Sequence, residues 1–158
     1  MVDEPDLRKE LIGYLLGAEQ LRGTGPAFST LAQVSSLASV AKTSPDTFEG
    51  LLRGPRSLGA LLEAAGYPSV PSPTSPDPGE DPYFRGGYNT ARYRTGGGED
   101  RFFAIQIECP RPGVRDSIQN RRRFAEALAA ALGVWLSHHA GIDLKAAGSG
   151  PLPKGGSE

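Results

Sequence analysis

Apolar residues recur near the start of the chain at three- and four-residue intervals. Leu7, Leu11, Tyr14, Leu15 and Ala18 fall on one side of a helical projection, with Arg8, Lys9 and Glu10 on the other. This spacing predicts a helix over residues 6–22. Gly13 and Gly17 each weaken it by about 1 kcal/mol relative to alanine, and Gly23-Thr-Gly-Pro26 ends it. A second helical pattern over 28–42 places Phe28, Leu31, Val34, Leu37 and Val40 at helical steps. Small, uncharged serines lie between them, which suits contact with protein rather than bulk water. Pro45 to Arg53 predicts a short helix closed by Gly54-Pro55. Ser57 then caps a helix over Leu58–Ala65, with Gly66 at the C′ position. Ser117 to His139 is the longest helical pattern, with Phe124, Leu128, Leu132, Trp135 and Leu136 as a wide apolar stripe.

The period changes between these stretches. Residues 67–82 carry prolines at 68, 71, 73, 76, 78 and 82, which excludes a helix or a central strand and predicts an extended connector. Phe102-Phe-Ala-Ile-Gln-Ile-Glu-Cys109 alternates as a strand, with Ile105 and Ile107 on one side and Ala104, Gln106 and Glu108 on the other. Residues 88–95 are expected to pair with it through a hairpin-like turn at Gly96-Gly-Gly98, and Pro110 and Pro112 stop it. The fold class predicted is α/β, four or five helices on a small mixed sheet. Residues 1–66 form a helical segment and 67–85 a Pro-rich connector. Residues 86–144 form a strand pair and long helix of the same domain, and 145–158 a disordered tail.

Composition narrows the functional classes. Seventeen basic and eighteen acidic residues give a net charge of -1, so no overall field draws the protein to nucleic acid or an anionic membrane. A lone cysteine, Cys109, cannot form an intrachain disulfide. No apolar run approaches the roughly 20 residues needed to span a bilayer, and the acidic start does not look like a signal peptide. The default expectation is a cytoplasmic protein. The glycine (21) and proline (14) excess falls in the 67–98 region and the tail.

Few residues suggest chemistry. Glu108 ends an otherwise apolar strand, where a partly desolvated carboxylate suits general acid or base work; a strand-end carboxylate paired with Arg111 or Arg115 is the plainer reading. Gly86-Gly87-Tyr88-Asn89 offers close-approaching backbone, an aromatic hydroxyl and an amide to a substrate carbonyl or carboxylate, or is simply a tight turn. Arg121-Arg-Arg123 reads as a solvated helix face. His138 and His139 are adjacent, without the i, i+4 spacing that aims two ligands at one ion, and no metal site is expected of them.

Several motifs occur in a fixed order: Leu52-Arg-Gly-Pro-Arg-Ser-Leu-Gly59, Val70-Pro-Ser-Pro73, Tyr83-Phe-Arg-Gly-Gly-Tyr-Asn89, Ile105-Gln-Ile-Glu108, Gly113-Val-Arg-Asp116 and Arg123-Phe-Ala-Glu-Ala-Leu128. Together they resemble the C-terminal half of N-formylglutamate amidohydrolase-like proteins, over most of the chain from about Ile12 to His139. That family is similar to the zinc carboxypeptidase and aspartoacylase fold, a mixed sheet flanked by helices. The resemblance implies a zinc-bound water attacking an amide carbonyl. Glu108 would be general base and acid, Gly86, Gly87 and Tyr88 would contact substrate, and Arg115 would hold a carboxylate.

The departure from the family is as informative. Its metal ligands belong to a His-containing stretch that should precede a segment like Glu10-Leu-Ile-Gly-Tyr-Leu-Leu16, yet Met1 to Lys9 holds no histidine. A catalytic zinc normally takes three protein ligands. The resemblance therefore implies zinc without a ligand set in this chain. The expectation is a C-terminal portion, inactive alone, completed by an N-terminal half on another chain. The other expectation is a non-catalytic binding or interaction module that keeps the substrate loop. In either case, unpaired sheet edge predicts homo-oligomerisation, aggregation or marginal stability.

Overall fold

The computed structural model describes residues 9–93 and 102–144. Three strands, β1 (Glu10–Gly13), β2 (Ser69–Val70) and β3 (Gln106–Glu108), form a mixed sheet in the order β2-β1-β3. β1 runs parallel to β2 and antiparallel to β3; Leu11 stands opposite Val70 and Glu108, and Ile12 opposite Ile107. Around it lie α1 (Ala18–Leu21), α2 (Gly25–Thr30), α3 (Ala38–Thr43), α4 (Phe48–Arg53), α5 (Leu58–Ala64), α6 (Tyr88–Arg92) and α7 (Ile118–Trp135). The architecture is the predicted mixed α/β class. No described helix is long and apolar enough to cross a membrane.

The helix expected over 6–22 is not formed. Its first part is the central strand of the sheet, and all four residues of β1 are buried. A strand covered on both faces is apolar without clean alternation, and a short apolar run does not separate strand from helix by period. Gly13 shows why this position is a glycine. A Cβ there would lie 2.6 Å from the Arg85 carbonyl carbon and 2.7 Å from the Gly86 nitrogen, so the 83–87 strap crosses β1 only where no side chain stands. Leu15 then turns the chain with φ 65°, a conformation uncommon outside glycine. Its N–H donates to the Arg85 carbonyl at 2.7 Å, and the Tyr83 hydroxyl donates to the Ile12 carbonyl at 2.6 Å.

The 28–42 pattern is divided into α2, a 3-10 turn at Leu31–Gln33 and α3. At the break, the Ser36 N–H and the Ser35 hydroxyl both donate to the Tyr14 carbonyl, at 3.0 and 3.1 Å. Ser35, Ser36 and Ser39 are buried and face protein, whereas Ser29 is exposed. Arg53 fastens α4 to the segment before α2. Its guanidinium donates to the carbonyls of Leu21 (2.5 Å) and Gly23 (2.6 Å), pairs with Glu49 at 2.7 Å and lies 4.4 Å from the Phe28 ring centroid. Only 8 % of it is exposed, and these partners are what make a buried guanidinium tolerable.

Where the pattern is local the expectations hold. The Ser57 hydroxyl accepts from the Ala60 N–H at 3.2 Å, and Gly66 closes α5 at φ +92°. The Ser117 hydroxyl accepts from the Asn120 N–H at 3.0 Å to start α7. α7 buries Phe124, Ala131 and Trp135, with Leu128, Leu132 and Leu136 half-buried against the same core. The connector is not helical; bends and a turn carry it along the body, to which it is fastened. β2 occupies its start at the sheet edge, the Ser72 hydroxyl donates to Glu63 at 2.6 Å, and the Thr74 hydroxyl donates to the same carboxylate.

The expected pairing of 88–95 with 102–109 is not found. Tyr88–Arg92 is helical, and the partner of β3 is β1, nearly a hundred positions upstream. The turn at Gly96-Gly-Gly98, residues 1–8 and the tail from 145 lie outside the described residues.

Candidate functional site

Side chains alternate along a strand, so the β1–β3 register sorts the candidates by face. Leu11, Gly13, Gln106 and Glu108 share one face of the sheet; Glu10, Ile12, Ile107 and Cys109 share the other. On the first face Gln106 is the organising residue. Its carboxamide oxygen accepts from the Gly87 N–H at 2.8 Å and the Thr90 hydroxyl at 3.0 Å. Its NH2 donates to one Glu108 oxygen at 2.7 Å. One side chain thus ties the strand-end carboxylate to the glycine turn.

The turn needs glycine at its first position. Gly86 has φ +117° and a would-be Cβ 3.2 Å from the Thr90 side chain, and Gly87 caps α6. Asn89, Thr90 and Tyr93 on one side and Phe103–Ile107 on the other line a cleft of about 520 Å³. Tyr88, predicted to contact substrate, is 79 % exposed and does not line that cleft.

The opposite face carries a second ionisable group that sequence reasoning missed. The Glu10 side chain is buried to 1 % exposure and its Oε2 has no hydrogen-bond partner. Burial pushes its pKa up to about 7, against the opposing effects of the Cys109 thiol and the Arg115 charge. Burial, followed by the Glu10 charge, pushes the Cys109 thiol up to about 12. Arg115 donates from Nε to the Cys109 carbonyl at 2.8 Å. Arg115 is therefore placed with Cys109 and Glu10, while the Gly86–Asn89 turn is held by Gln106. In sequence Glu10 sits on the polar side of an apparent helix, which hid it. Gln106 could have been found from its place two residues before Glu108.

Among the described residues, the zinc that the resemblance implies has no fitting donor set beside Glu108. On that face the Glu108 carboxylate has an amide partner and Leu11 opposite it; Glu10 and Cys109 leave the other face. Asp46, His138 and His139 do converge, with donor atoms all within 4.8 Å of one another. Sequence spacing expected no metal site of the adjacent histidines, and it takes no account of the third potential donor, Asp46, that folding brings beside them. This cluster follows the C-terminus of α7, whereas Arg115 precedes its N-terminus, and the 18-residue helix between them is about 27 Å long.

No protein-family model, curated protein or solved structure matches this chain.

Proposed function

We propose that the chain is the C-terminal portion of a metal-dependent hydrolase of amide bonds in small carboxylated substrates, similar to N-formylglutamate amidohydrolase-like proteins with their zinc carboxypeptidase-like fold, and inactive alone. The observation that carries the reading is the Gln106 bridge. It holds Glu108, Gly87 and Thr90 in one hydrogen-bonded unit, of which Gln106 and Thr90 line the cleft. In this reading Glu108 carries a proton between water and the departing amide nitrogen. The Gly86–Gly87 backbone, Tyr88 and Asn89 bind the substrate, and Arg115, at the same strand end as Glu108, offers its carboxylate a cation. The described residues do not fit a zinc beside Glu108, so its ligands are assigned to an N-terminal half on another chain and no step through the ion is assigned to this one.

A second reading, a non-catalytic module that binds a small carboxylated ligand, is favoured by the same bridge, because the loop is fully held without substrate. Both readings meet in one assay, release of formate from N-formylglutamate in the presence of zinc. The chain alone is expected to be inactive, and addition of the N-terminal half is expected to restore turnover. In that reconstituted enzyme Glu108→Gln should lose a factor of about 10²–10⁴. Turnover by the chain alone would overturn its incompleteness; full turnover by Glu108→Gln would leave the carboxylate structural.

A further inference from the structure

We propose that Asp46, His138 and His139 form a site for a divalent transition ion of the zinc class, clipping the end of α7 to the α3–α4 loop. The site is separate from the Glu108 cleft and does not depend on the function proposed above. Two imidazoles and one carboxylate are a donor set for zinc and its borderline neighbours, whereas magnesium and calcium prefer all-oxygen cages.

One of the separations is already that of two ligands on such an ion, and the three donor atoms together lie within 4.8 Å of one another. Asp46 Oδ2 and His138 Nε2 are 3.2 Å apart. Two ligands at zinc bond lengths of roughly 2.0–2.1 Å in tetrahedral geometry stand about 3.3 Å apart. His139 supplies the third donor and is oriented for it. Its Nε2 lies 3.0 Å from the Arg56 carbonyl, which can only accept, so Nε2 carries the hydrogen and Nδ1 holds the lone pair. An outer N–H bonded to a backbone carbonyl is the arrangement that fixes the tautomer of metal-binding histidines. His139 is 1 % exposed, so its surroundings hold the ring in this orientation. At present its Nδ1 lies 2.8 Å from the Ser44 hydroxyl, which also accepts from the Asp46 N–H at 3.2 Å. Ser44 therefore stands where a fourth oxygen, its own or that of a water, completes the shell.

Three contacts must be released for the ion: the Ser44 hydroxyl on His139 Nδ1, the His138 Nε2 hydrogen facing Asp46, and the Arg56 guanidinium on His138 Nδ1. An Arg56 guanidinium nitrogen lies 2.8 Å from His138 Nδ1. Coordination through Nε2 puts a hydrogen on Nδ1, so Arg56 must turn away. Arg56 is exposed and can do so into solvent.

The test is zinc titration of the chelator-treated chain by calorimetry, with thermal unfolding beside it. The expected result is one zinc bound per chain, a Tm that rises with zinc, and no response to magnesium. Asp46→Asn and His138→Gln replace half-exposed side chains, 30 % and 18 % exposed, and leave the core untouched. Each should weaken zinc binding at least tenfold while the metal-free Tm stays within a few degrees. Arg56→Gln should tighten it a few-fold. Absence of zinc binding, binding as tight as the parent's in both ligand variants, or its loss in Cys109→Ser would overturn the proposal. None of these readouts involves amide hydrolysis, so failure here leaves the Glu108 reading standing, and the reverse also holds.

Discussion

Glu10 on β1 and Glu108 on β3 stand on neighbouring strands, yet their side chains leave opposite faces of the sheet. Glu10 enters the interior with one oxygen unpartnered and a pKa raised to about 7. Glu108 is half-buried, bonded to Gln106 and through it to the Gly87 turn. The difference is one of parity. A shift of one residue along a strand exchanges every side chain between faces, so strand position decides which carboxylate is desolvated and which can meet a ligand.

The sharpest way to break this comparison is to unseat the strap that covers β1 on the Glu108 face. Gly13→Ala places a methyl group 2.6–2.8 Å from backbone atoms of Arg85 and Gly86, which cannot rotate away as a side chain would. The expected loss is about 4 kcal/mol, read from the urea midpoint of unfolding. A variant as stable as the parent would mean that the strap does not press on β1.

Glu10→Gln tests the buried side. The folded-state pKa of an acid that is raised from 4.5 to about 7 means that the folded protein binds the proton more tightly. That contribution to stability is complete below about pH 4.5 and is lost as pH rises to about 7. The amide has no charge to desolvate. The variant should therefore match the parent near pH 4.5 and exceed it by about 3 kcal/mol at pH 8. Denaturation at several pH values checks this, and a difference independent of pH would refute it.

These two residues also show what the chain discloses of itself. α5 and α7 are legible because their stripes and capping serines lie within a few residues of one another. The face shared by Gln106 and Glu108 is legible from alternation alone. β1 is not, because Glu10-Leu-Ile-Gly13 gains its strand identity from Ser69–Val70 and Gln106–Glu108, and taken alone it continues a helical stripe. For the same reason Glu10 reads as solvated. Asp46 and His138 meet across 92 positions, a proximity that no local spacing encodes. Local patterns thus account for the helices and one face of the sheet, while the buried carboxylate and the His–Asp cluster come from long-range pairing.

The exposed side of the comparison rests on Gln106. Gln106→Leu keeps the bulk and removes one acceptor and one donor, leaving the Gly87 N–H, the Thr90 hydroxyl and Glu108 without it. Partial access to water limits the loss to about 2 kcal/mol. Amide exchange at Gly87 should accelerate more than exchange in α7. Uniform acceleration across the chain would mean that Gln106 supports the whole fold rather than the turn.

The smallest effect links the buried carboxylate to its neighbour. With its pKa at about 12, the Cys109 thiol stays protonated at pH 8, and alkylation requires the thiolate. Iodoacetamide should therefore label the folded chain far more slowly than the urea-unfolded one. Glu10 raises the Cys109 pKa by charge and by hydrogen bond, and Arg115 lowers it. Glu10→Gln should thus speed labelling several-fold, and Arg115→Ala should slow it. Burial is the largest cause, so neither change should approach the unfolded rate. Equal rates in parent and Glu10→Gln would mean that desolvation alone sets the thiol, and that the two groups share a wall of the core without sharing a charge.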